Sequence, residues 1–154
     1  MIQQKTETLA LAPFKAIVAD RELECVTGQG GANRLAIDGA VYYQFGDLRV
    51  ELPEHTLVVE VESAGGVTNL AKYWEAVARA RVAKPVKLLH VFLQKSANDY
   101  ASHIVVWQFL NARMGEALGG RWEARHCVAR GTSVQDLAGA LAIFSAWLPR
   151  RVAD

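Results

Sequence analysis

The sequence has few cysteines, little net charge and no long apolar run, and each shortage excludes a class of protein. Its 154 residues include two cysteines, Cys25 and Cys127, which match neither a metal-ligand spacing nor a disulfide framework, as is typical of a reducing cytoplasm. The formal net charge of +1 excludes a global basic field, so nucleic-acid binding would need a local patch. The opening residues MIQQKTET lack the segments of a signal peptide, and apolar windows such as 104–110 are too short to span a bilayer. We therefore expect a cytoplasmic protein that does not associate with membranes.

The distribution of apolar residues predicts an α/β protein. Hydrophobic residues make up 51% of the chain and charged residues 21%, which suits a single globular domain over residues 1–154. Periodicity predicts helices at residues 9–26, 68–82, 98–118 and 133–148, and strands at 41–45, 48–52, 57–61, 86–93 and 122–129. The first three strands suggest an antiparallel meander, and the later strand–helix–strand units suggest parallel crossovers. We expect one mixed β-sheet flanked by helices.

Two acidic residues lie at the end of the third predicted strand and directly after it, in the run VVEVES. Glu60 and Glu62 point to the same face, about 7 Å apart by strand geometry. Two like charges among valines are unfavourable unless a positive group lies between them. A hairpin turn at Pro53–Glu54 would bring Asp47 beside Glu60, because the two acids are equally far from the turn. Carboxylate oxygens favour Mg²⁺, Mn²⁺ or Ca²⁺ over zinc, so the sequence predicts a divalent metal site here.

The run GDLRVELPEHTLVVEVES, residues 46–63, resembles the core motif of the PD-(D/E)XK nuclease superfamily, in which an Asp opens the second core strand and an acidic-x-Lys motif lies on the third. The resemblance implies a restriction-endonuclease-like αβββαβ core over residues 9–93, followed by a C-terminal αβα extension over residues 97–150. It also implies that Asp47 and Glu60 hold Mg²⁺ or Mn²⁺, with the carbonyl of Val61 as a further ligand. On this interpretation the chain is a Mg²⁺-dependent deoxyribonuclease whose partner is DNA.

The chain departs from the superfamily pattern at the lysine. Glu62 occupies the lysine position, which some members fill with Glu or Gln, and other members carry the lysine on the following helix. Lys72 lies on that predicted helix and is expected to stabilise charge on the scissile phosphate, while Glu62 would hold a second metal or activate the water. Gly46 replaces the usual Pro. Near the end of the first predicted helix, Glu22 and Glu24 are expected sources of the accessory acid that some members use.

Basic residues cluster around the end of the second predicted helix, at Arg79, Arg81, Lys84 and Lys87. One interpretation is contact with a nucleic-acid backbone. The other is a solvated helix end, where cations complement the helix dipole.

Two features of the C-terminal half concern burial. Residues 104–110, IVVWQFL, are apolar on nearly all sides of the third predicted helix. Such a surface needs a second covering layer or a homodimer interface. His90 lies within an apolar strand and is interpreted as a satisfied core histidine rather than a metal ligand.

Simpler interpretations stay open for each acidic residue. Asp47 alone would be an ordinary turn residue, and Glu60 and Glu62 would guard the solvent face of an edge strand. The missing lysine also allows a catalytically inactive module that uses the nuclease fold for binding or assembly. A third alternative is an unrelated α/β domain in which Asp47 and Glu60 lie far apart on the surface.

Overall fold

The computed structural model describes residues 2–28, 33–63 and 68–150, with side chains from residue 5 onward. A short 3₁₀ helix, Gly119–Arg121, precedes the last strand of the chain. The other elements follow in the order α1 (Ile2–Asp20), β1 (Val26–Thr27), β2 (Arg34–Asp38), β3 (Val41–Gln44), β4 (Leu48–Glu51), β5 (Thr56–Glu62), α2 (Thr68–Ala78), β6 (Val86–Leu93), α3 (Ala101–Leu118), β7 (Trp122–Ala129) and α4 (Ala138–Trp147).

Five strands of the described ranges form one mixed sheet in the order β1–β4–β5–β6–β7. β1 pairs with β4 and β4 with β5 in antiparallel fashion, whereas β5, β6 and β7 run parallel. Helices α2 and α3 provide the crossovers that parallel neighbours require. The predicted mixed sheet flanked by helices is confirmed.

Helices cover the sheet on both faces. On one face, α1 and α4 pack over alternate residues of β5 and β6, including Val59 and Leu89. On the other face, α2 and α3 cover the intervening residues, including Val58 and Leu88. Because β5 and β6 are buried on both faces, their sequences are nearly continuous apolar runs. Glu60 lies within such a run, and its side chain points to the α2–α3 layer, as does that of Val58.

The predicted meander is wrong in its first strand. Residues 41–44 form β3, which pairs with β2 in a separate two-stranded sheet and not with β4. The cause is local, because Gly46 has a φ of +91° and turns the chain between β3 and β4. The side chain of Asn33 fixes this turn by donating to the carbonyls of Phe45 and Gly46 at 2.6 and 2.8 Å. β1, at the junction of the predicted first helix and the following loop, takes the edge position beside β4.

The helix boundaries also differ from the predicted ones. α1 spans Ile2–Asp20, so the predicted helix at 9–26 starts and ends too late. α4 begins at Ala138, because residues 133–137 form a turn in which Ser133 Oγ donates to Asp136 Oδ2 at 2.6 Å. Within the described ranges, no helix is both long and apolar enough to cross a membrane.

The third helix exposes part of its apolar surface. Trp107 is buried against the sheet, but Val105, Val106 and Phe109 are 65%, 47% and 63% exposed. These three residues are called the α3 outer face. The covering layer that the sequence predicts for them is absent from the described part of the chain, and a homodimer interface stays a prediction.

Candidate metal centre

The β4–β5 hairpin brings Asp47 beside Glu60. Leu48 pairs with Val59, so Asp47, one residue before β4, lies opposite Glu60. The backbone N–H of Asp47 donates to the carbonyl of Val59 at 3.0 Å, and Asp47 Oδ2 accepts the backbone N–H of Val61 at 2.7 Å. Asp47 and Glu60 therefore lie side by side, as the hairpin spacing predicts, and not far apart on the surface.

Glu60 is buried and accepts two hydrogen bonds through one carboxylate oxygen. The residue is 5% exposed and lies on β5, between β4 and β6, so the edge-strand interpretation does not apply to it. Lys72 Nζ donates to Glu60 Oε1 at 2.8 Å, and Tyr73 OH donates to the same oxygen at 2.5 Å. Both donors come from α2, which packs over this face of the sheet. A buried carboxylate needs a positive partner, and in the described structure Lys72 is that partner.

Asp47 has a shifted protonation equilibrium. Its pKa is raised from 3.8 to about 8, first by burial, next by the negative charge of Glu60, and further by Glu7. The N–H of Val61 and the ammonium of Lys72 lower the pKa of Asp47, but by less than the other three effects raise it. Burial and the neighbouring negative charge therefore favour the protonated form of Asp47. Lys72 pairs with Glu60 and does not compensate Asp47, so a divalent cation would supply the missing positive charge.

A third acid, Glu7 on α1, reaches the same end of the hairpin. Its Oε1 accepts the hydroxyl of Ser63 at 2.7 Å, and Ser63 directly follows β5. Its negative charge also acts on Asp47. Glu7 was not predicted from the sequence, although a signal was present. Glu7 precedes Leu11 and Phe14 at helical spacing, which puts a carboxylate on the buried stripe of α1.

Glu62 is connected to Glu60 through Asn69 and Lys72. Asn69 Nδ2 lies 3.4 Å from Glu62 Oε2, and Lys72 Nζ lies 3.5 Å from Asn69 Oδ1. These contacts are longer and weaker than the Lys72–Glu60 bond. Lys72 thus contacts Glu60 directly and Glu62 only through Asn69, on the face of β5 where the spacing of the two acids predicts a positive group.

A cleft of about 260 Å³ opens onto Asp47 from the side of α1. Thr8 and Lys15 of α1 form part of one wall, and Thr27 and Gly28 form part of the other. The backbone N–H of Gly28 donates to the carbonyl of Asp47 at 2.9 Å, which extends the β1–β4 pairing to the site. Asp47 and Glu7 therefore both line this open cleft.

The predicted accessory acids Glu22 and Glu24 are not brought to the site. Both are exposed, and Glu24 precedes β1. The pairing of Val26 with Arg49 places Glu24 toward the end of β4 that is opposite Asp47. Of the acids on α1 and its following loop, Glu7 is the one whose charge acts on Asp47.

The predicted basic cluster lies at the opposite end of β5. Arg81 binds both carboxylate oxygens of Glu75 through Nε at 2.9 Å. Lys84 Nζ lies 2.9 Å from Glu51 Oε2 and Arg79 is exposed beyond the end of α2. The structure does not bring these basic residues to Asp47, and their contact with a nucleic-acid backbone stays a prediction.

The oxygen donors around Asp47 fit a hard divalent cation that keeps several water ligands. The bonds described above use Asp47 Oδ2 and Glu60 Oε1, and no described residue donates to Asp47 Oδ1 or Glu60 Oε2. The N–H of Val61 donates to Asp47, and in a strand the C=O of the same residue lies on the same side as its N–H. Across residues 2–28, 33–63 and 68–150, no three His, Cys, Asp or Glu side chains converge as a metal-binding group. A cation would depend on two carboxylates, one carbonyl and water, which is an acceptable set for Mg²⁺.

Comparison with known proteins assigns no family. No protein-family model, no curated protein and no solved structure matches the chain. The resemblance to the PD-(D/E)XK superfamily therefore depends on residues 46–63 and on the geometry described above.

Proposed function

We propose that the chain is a metal-dependent nuclease that hydrolyses phosphodiester bonds in DNA, with Mg²⁺ or Mn²⁺ as its cofactor. The position of Lys72 is the observation that supports this most. Its ammonium lies 2.8 Å from Glu60, which stands opposite Asp47. An Asp, a Glu and a Lys thus meet at one end of a hairpin, with the lysine supplied by α2. The superfamily resemblance implies this arrangement for members whose lysine has moved to the following helix.

The order of elements around the site also supports a restriction-endonuclease-like core. Helix α1 is followed in the main sheet by β1, β4 and β5, and β6 follows α2. This is an αβββαβ order in which the short β1, and not residues 41–45, supplies the first strand. On this proposal the β2–β3 pair is an insertion between the first two core strands. The C-terminal extension then consists of α3, β7 and α4.

Each residue of the proposed site has a separate task. Asp47, Glu60 and the carbonyl of Val61 hold the cation, which supplies charge stabilisation at the phosphate and an acidified water. Lys72 donates to a phosphate oxygen from its place beside Glu60. Glu62 lies on the same face of β5 and accepts the proton of the attacking water.

Cleavage assays test the proposal directly. Plasmid DNA, DNA oligonucleotides and RNA oligonucleotides are incubated with the chain in Mg²⁺ or Mn²⁺. We expect Asp47→Ala and Glu60→Ala to abolish DNA cleavage and Glu51→Ala, at the opposite end of the same hairpin, to retain it. Urea unfolding curves show whether the inactive variants are folded. Cleavage that survives both Asp47→Ala and Glu60→Ala would contradict the proposal.

A catalytically inactive binding or assembly module is the second candidate, and Glu62 at the lysine position favours it. Calorimetry with Mn²⁺ separates the two candidates, because an enzyme of the proposed kind must bind the cation. No binding at millimolar Mn²⁺ would favour the module. In that case we expect the α3 outer face to form a homodimer interface, which sedimentation measures.

A further inference from the structure

A buried histidine beside the proposed site has one nitrogen with a partner and one without. His90 lies on β6, is 0% exposed and pairs in register with Glu60. Its Nδ1 accepts the indole N–H of Trp107 at 3.0 Å. Its Nε2 has no hydrogen-bond partner among the described residues and lies 3.9 Å from Glu62 Oε2. The interpretation of His90 as a satisfied core histidine therefore holds for Nδ1 and not for Nε2.

Trp107 determines the tautomer of His90. An indole N–H can only donate a hydrogen bond, so Nδ1 must offer a lone pair. A neutral imidazole then carries its proton on Nε2, whereas an imidazolium, protonated on both nitrogens, would lose the bond from Trp107. The N–H of Nε2 is therefore a donor on the side of the ring nearest Glu62.

Aromatic packing holds the imidazole ring in this orientation. Phe92 stacks on His90 with ring centroids 4.5 Å apart and an interplanar angle of 17°. Trp107 meets the ring at 71°, with centroids 6.3 Å apart. A buried donor that is fixed in this way and lacks a partner is unfavourable, so it attracts an acceptor that can move. Glu62, whose side chain is 13% exposed, is such an acceptor.

We propose that His90 is a positioning residue for Glu62. Trp107 sets the tautomer of His90, and the Nε2–H of His90 then orients the Glu62 carboxylate on the face that it shares with Glu60. A small rotation of the Glu62 side chain closes the 3.9 Å separation to hydrogen-bond distance. The catalytic consequence, a carboxylate held in place to activate water, rests on the proposed function.

Glu62 is then held from two sides. His90 approaches it from β6, and Asn69 approaches it from α2 with Nδ2 at 3.4 Å from Oε2. Asn69 in turn contacts Lys72, which donates to Glu60. A connected series of polar side chains thus leads from Trp107 on α3 to the proposed metal centre. This series gives a supporting partner to Glu62, the residue at which the chain departs from the superfamily pattern.

Imidazole NMR on the ¹⁵N-labelled intact chain tests the orientation without metal or substrate. We expect the proton of His90 on Nε2, and we expect its resonance to move in Glu62→Ala but not in Glu51→Ala, a matched glutamate on β4. In Trp107→Phe the proton should distribute over both nitrogens. A proton on Nδ1, or an Nε2–H resonance that does not respond to Glu62→Ala, would overturn the proposal. This experiment gives an answer for His90 even if the chain does not cleave DNA.

Cleavage kinetics test the consequence in a chain that cleaves DNA. We expect His90→Leu to lower kcat about 10–100-fold, as is usual when a residue that orients a metal-site ligand is lost. His90→Gln keeps an N–H donor near the position of Nε2 and should retain most of kcat. The control is His126→Gln. His126 pairs with His90 in register and contacts the ring of Trp107, but no described contact joins it to Glu62.

The outcomes separate this inference from the proposed function. Equal losses of kcat in His90→Leu and His90→Gln, or no loss in either, would overturn the role of His90. Urea midpoints of both variants show whether a loss comes from unfolding. If the unmodified chain neither binds Mn²⁺ nor cleaves DNA, the proposed function fails, and the NMR result alone decides whether His90 orients Glu62.

Discussion

Two lysine–glutamate ion pairs lie at opposite ends of the β4–β5 hairpin, with similar distances and different surroundings. Lys72 Nζ lies 2.8 Å from Glu60 Oε1, and Lys84 Nζ lies 2.9 Å from Glu51 Oε2. The side chains of Lys72 and Glu60 are 16% and 7% exposed, whereas those of Lys84 and Glu51 are 35% and 47% exposed. The first pair is buried under α2, and the second is open to water.

The pKa values of Glu51 and Asp47, at the two ends of the hairpin, are shifted in opposite directions. Burial alone would raise the pKa of Glu51, but hydrogen bonds from Lys84 and Thr56 bring it below its ordinary value. At the other end, burial and the charge of Glu60 raise the pKa of Asp47 to about 8. At the exposed end the chain's own cation compensates Glu51, whereas at the buried end Lys72 pairs with Glu60 and leaves Asp47 uncompensated. The second, uncompensated acid, and not the ion pair, therefore distinguishes the proposed metal centre from an ordinary surface contact.

Removal of the two ammonium groups should give the largest difference between the ends. We expect Lys72→Met to lower the free energy of unfolding by about 3–5 kcal/mol, because Glu60 stays buried without a cation. Lys84→Met should lower it by about 0–1 kcal/mol, since water can solvate the exposed Glu51. Urea denaturation at neutral pH measures both values. Equal losses would show that burial does not distinguish the two pairs.

Removal of the hydroxyl donors, Tyr73 at one end and Thr56 at the other, should give a smaller difference in the free energy of unfolding. Tyr73 OH donates to Glu60, and burial together with the charge of Glu60 raises the pKa of this phenol well above its ordinary value. We expect Tyr73→Phe to lower the free energy of unfolding by about 1.5–3 kcal/mol, the range for a hydrogen bond to a charged group. Thr56→Val, which removes the 2.9 Å bond to Glu51, should lower it by about 1 kcal/mol or less. Urea denaturation of the two variants checks the order, and a larger loss in Thr56→Val would reverse the comparison.

The pH dependence of stability should differ in sign between the ends. The pKa of Asp47 is higher in the folded chain than its ordinary 3.8, so the folded chain holds a proton that the unfolded chain loses. The stability from this proton is complete below pH 3.8 and declines as the pH rises toward about 8, by up to about 1.4 kcal/mol per pH unit. The pKa of Glu51 is lowered, so its contribution is present above its unfolded pKa and is lost as the pH falls through the lower folded value.

Unfolding free energies from pH 3 to pH 8 check this expectation. Asp47→Asn should remove a downward slope above about pH 4, and Glu51→Gln should change the profile only at the acid end. A profile of Asp47→Asn that runs parallel to that of the unmodified chain would contradict the shifted pKa.

Salt should produce the smallest effect. The Debye length falls from about 10 Å at 0.1 M to about 3 Å at 1 M salt, and screening acts mainly on exposed charges. In 1 M NaCl we expect the loss caused by Lys84→Met to shrink toward zero, a change of about 1 kcal/mol or less. The loss caused by Lys72→Met should change less, because α2 keeps water from the pair. Denaturation of both variants at the two salt concentrations provides the measurement.

The hairpin site was predictable because its determinants are local. The equal distance of Asp47 and Glu60 from the turn sets their pairing, and the two-residue period of a strand sets the common face of Glu60 and Glu62. Lys72 was expected on the following helix from its position alone. Its bond to Glu60 could not be derived from spacing, because it depends on how α2 packs over the sheet.

The elements that were not predicted from the sequence depend on contacts between distant parts of the chain. β1 is two residues long and has too little periodicity to be recognised, and its place beside β4 comes from tertiary pairing. β2 alternates as a strand should, yet its pairing with β3 depends on the turn at Gly46. The state of His90 depends on Trp107, which lies in another layer of the fold. A single sequence therefore gives the acids of the hairpin, and neither Glu7 nor the residues that support those acids.

The separate pairing of β2 with β3 affects how the chain can vary in length. These strands bond to each other and not to the main sheet, and Asn33 closes their base before the chain reaches Asp47. Residues added at the exposed tip, Gly39–Ala40, therefore do not shift β4 against β5. We expect related chains to differ in length at this tip, and an engineered recognition loop inserted there should leave Asp47 opposite Glu60.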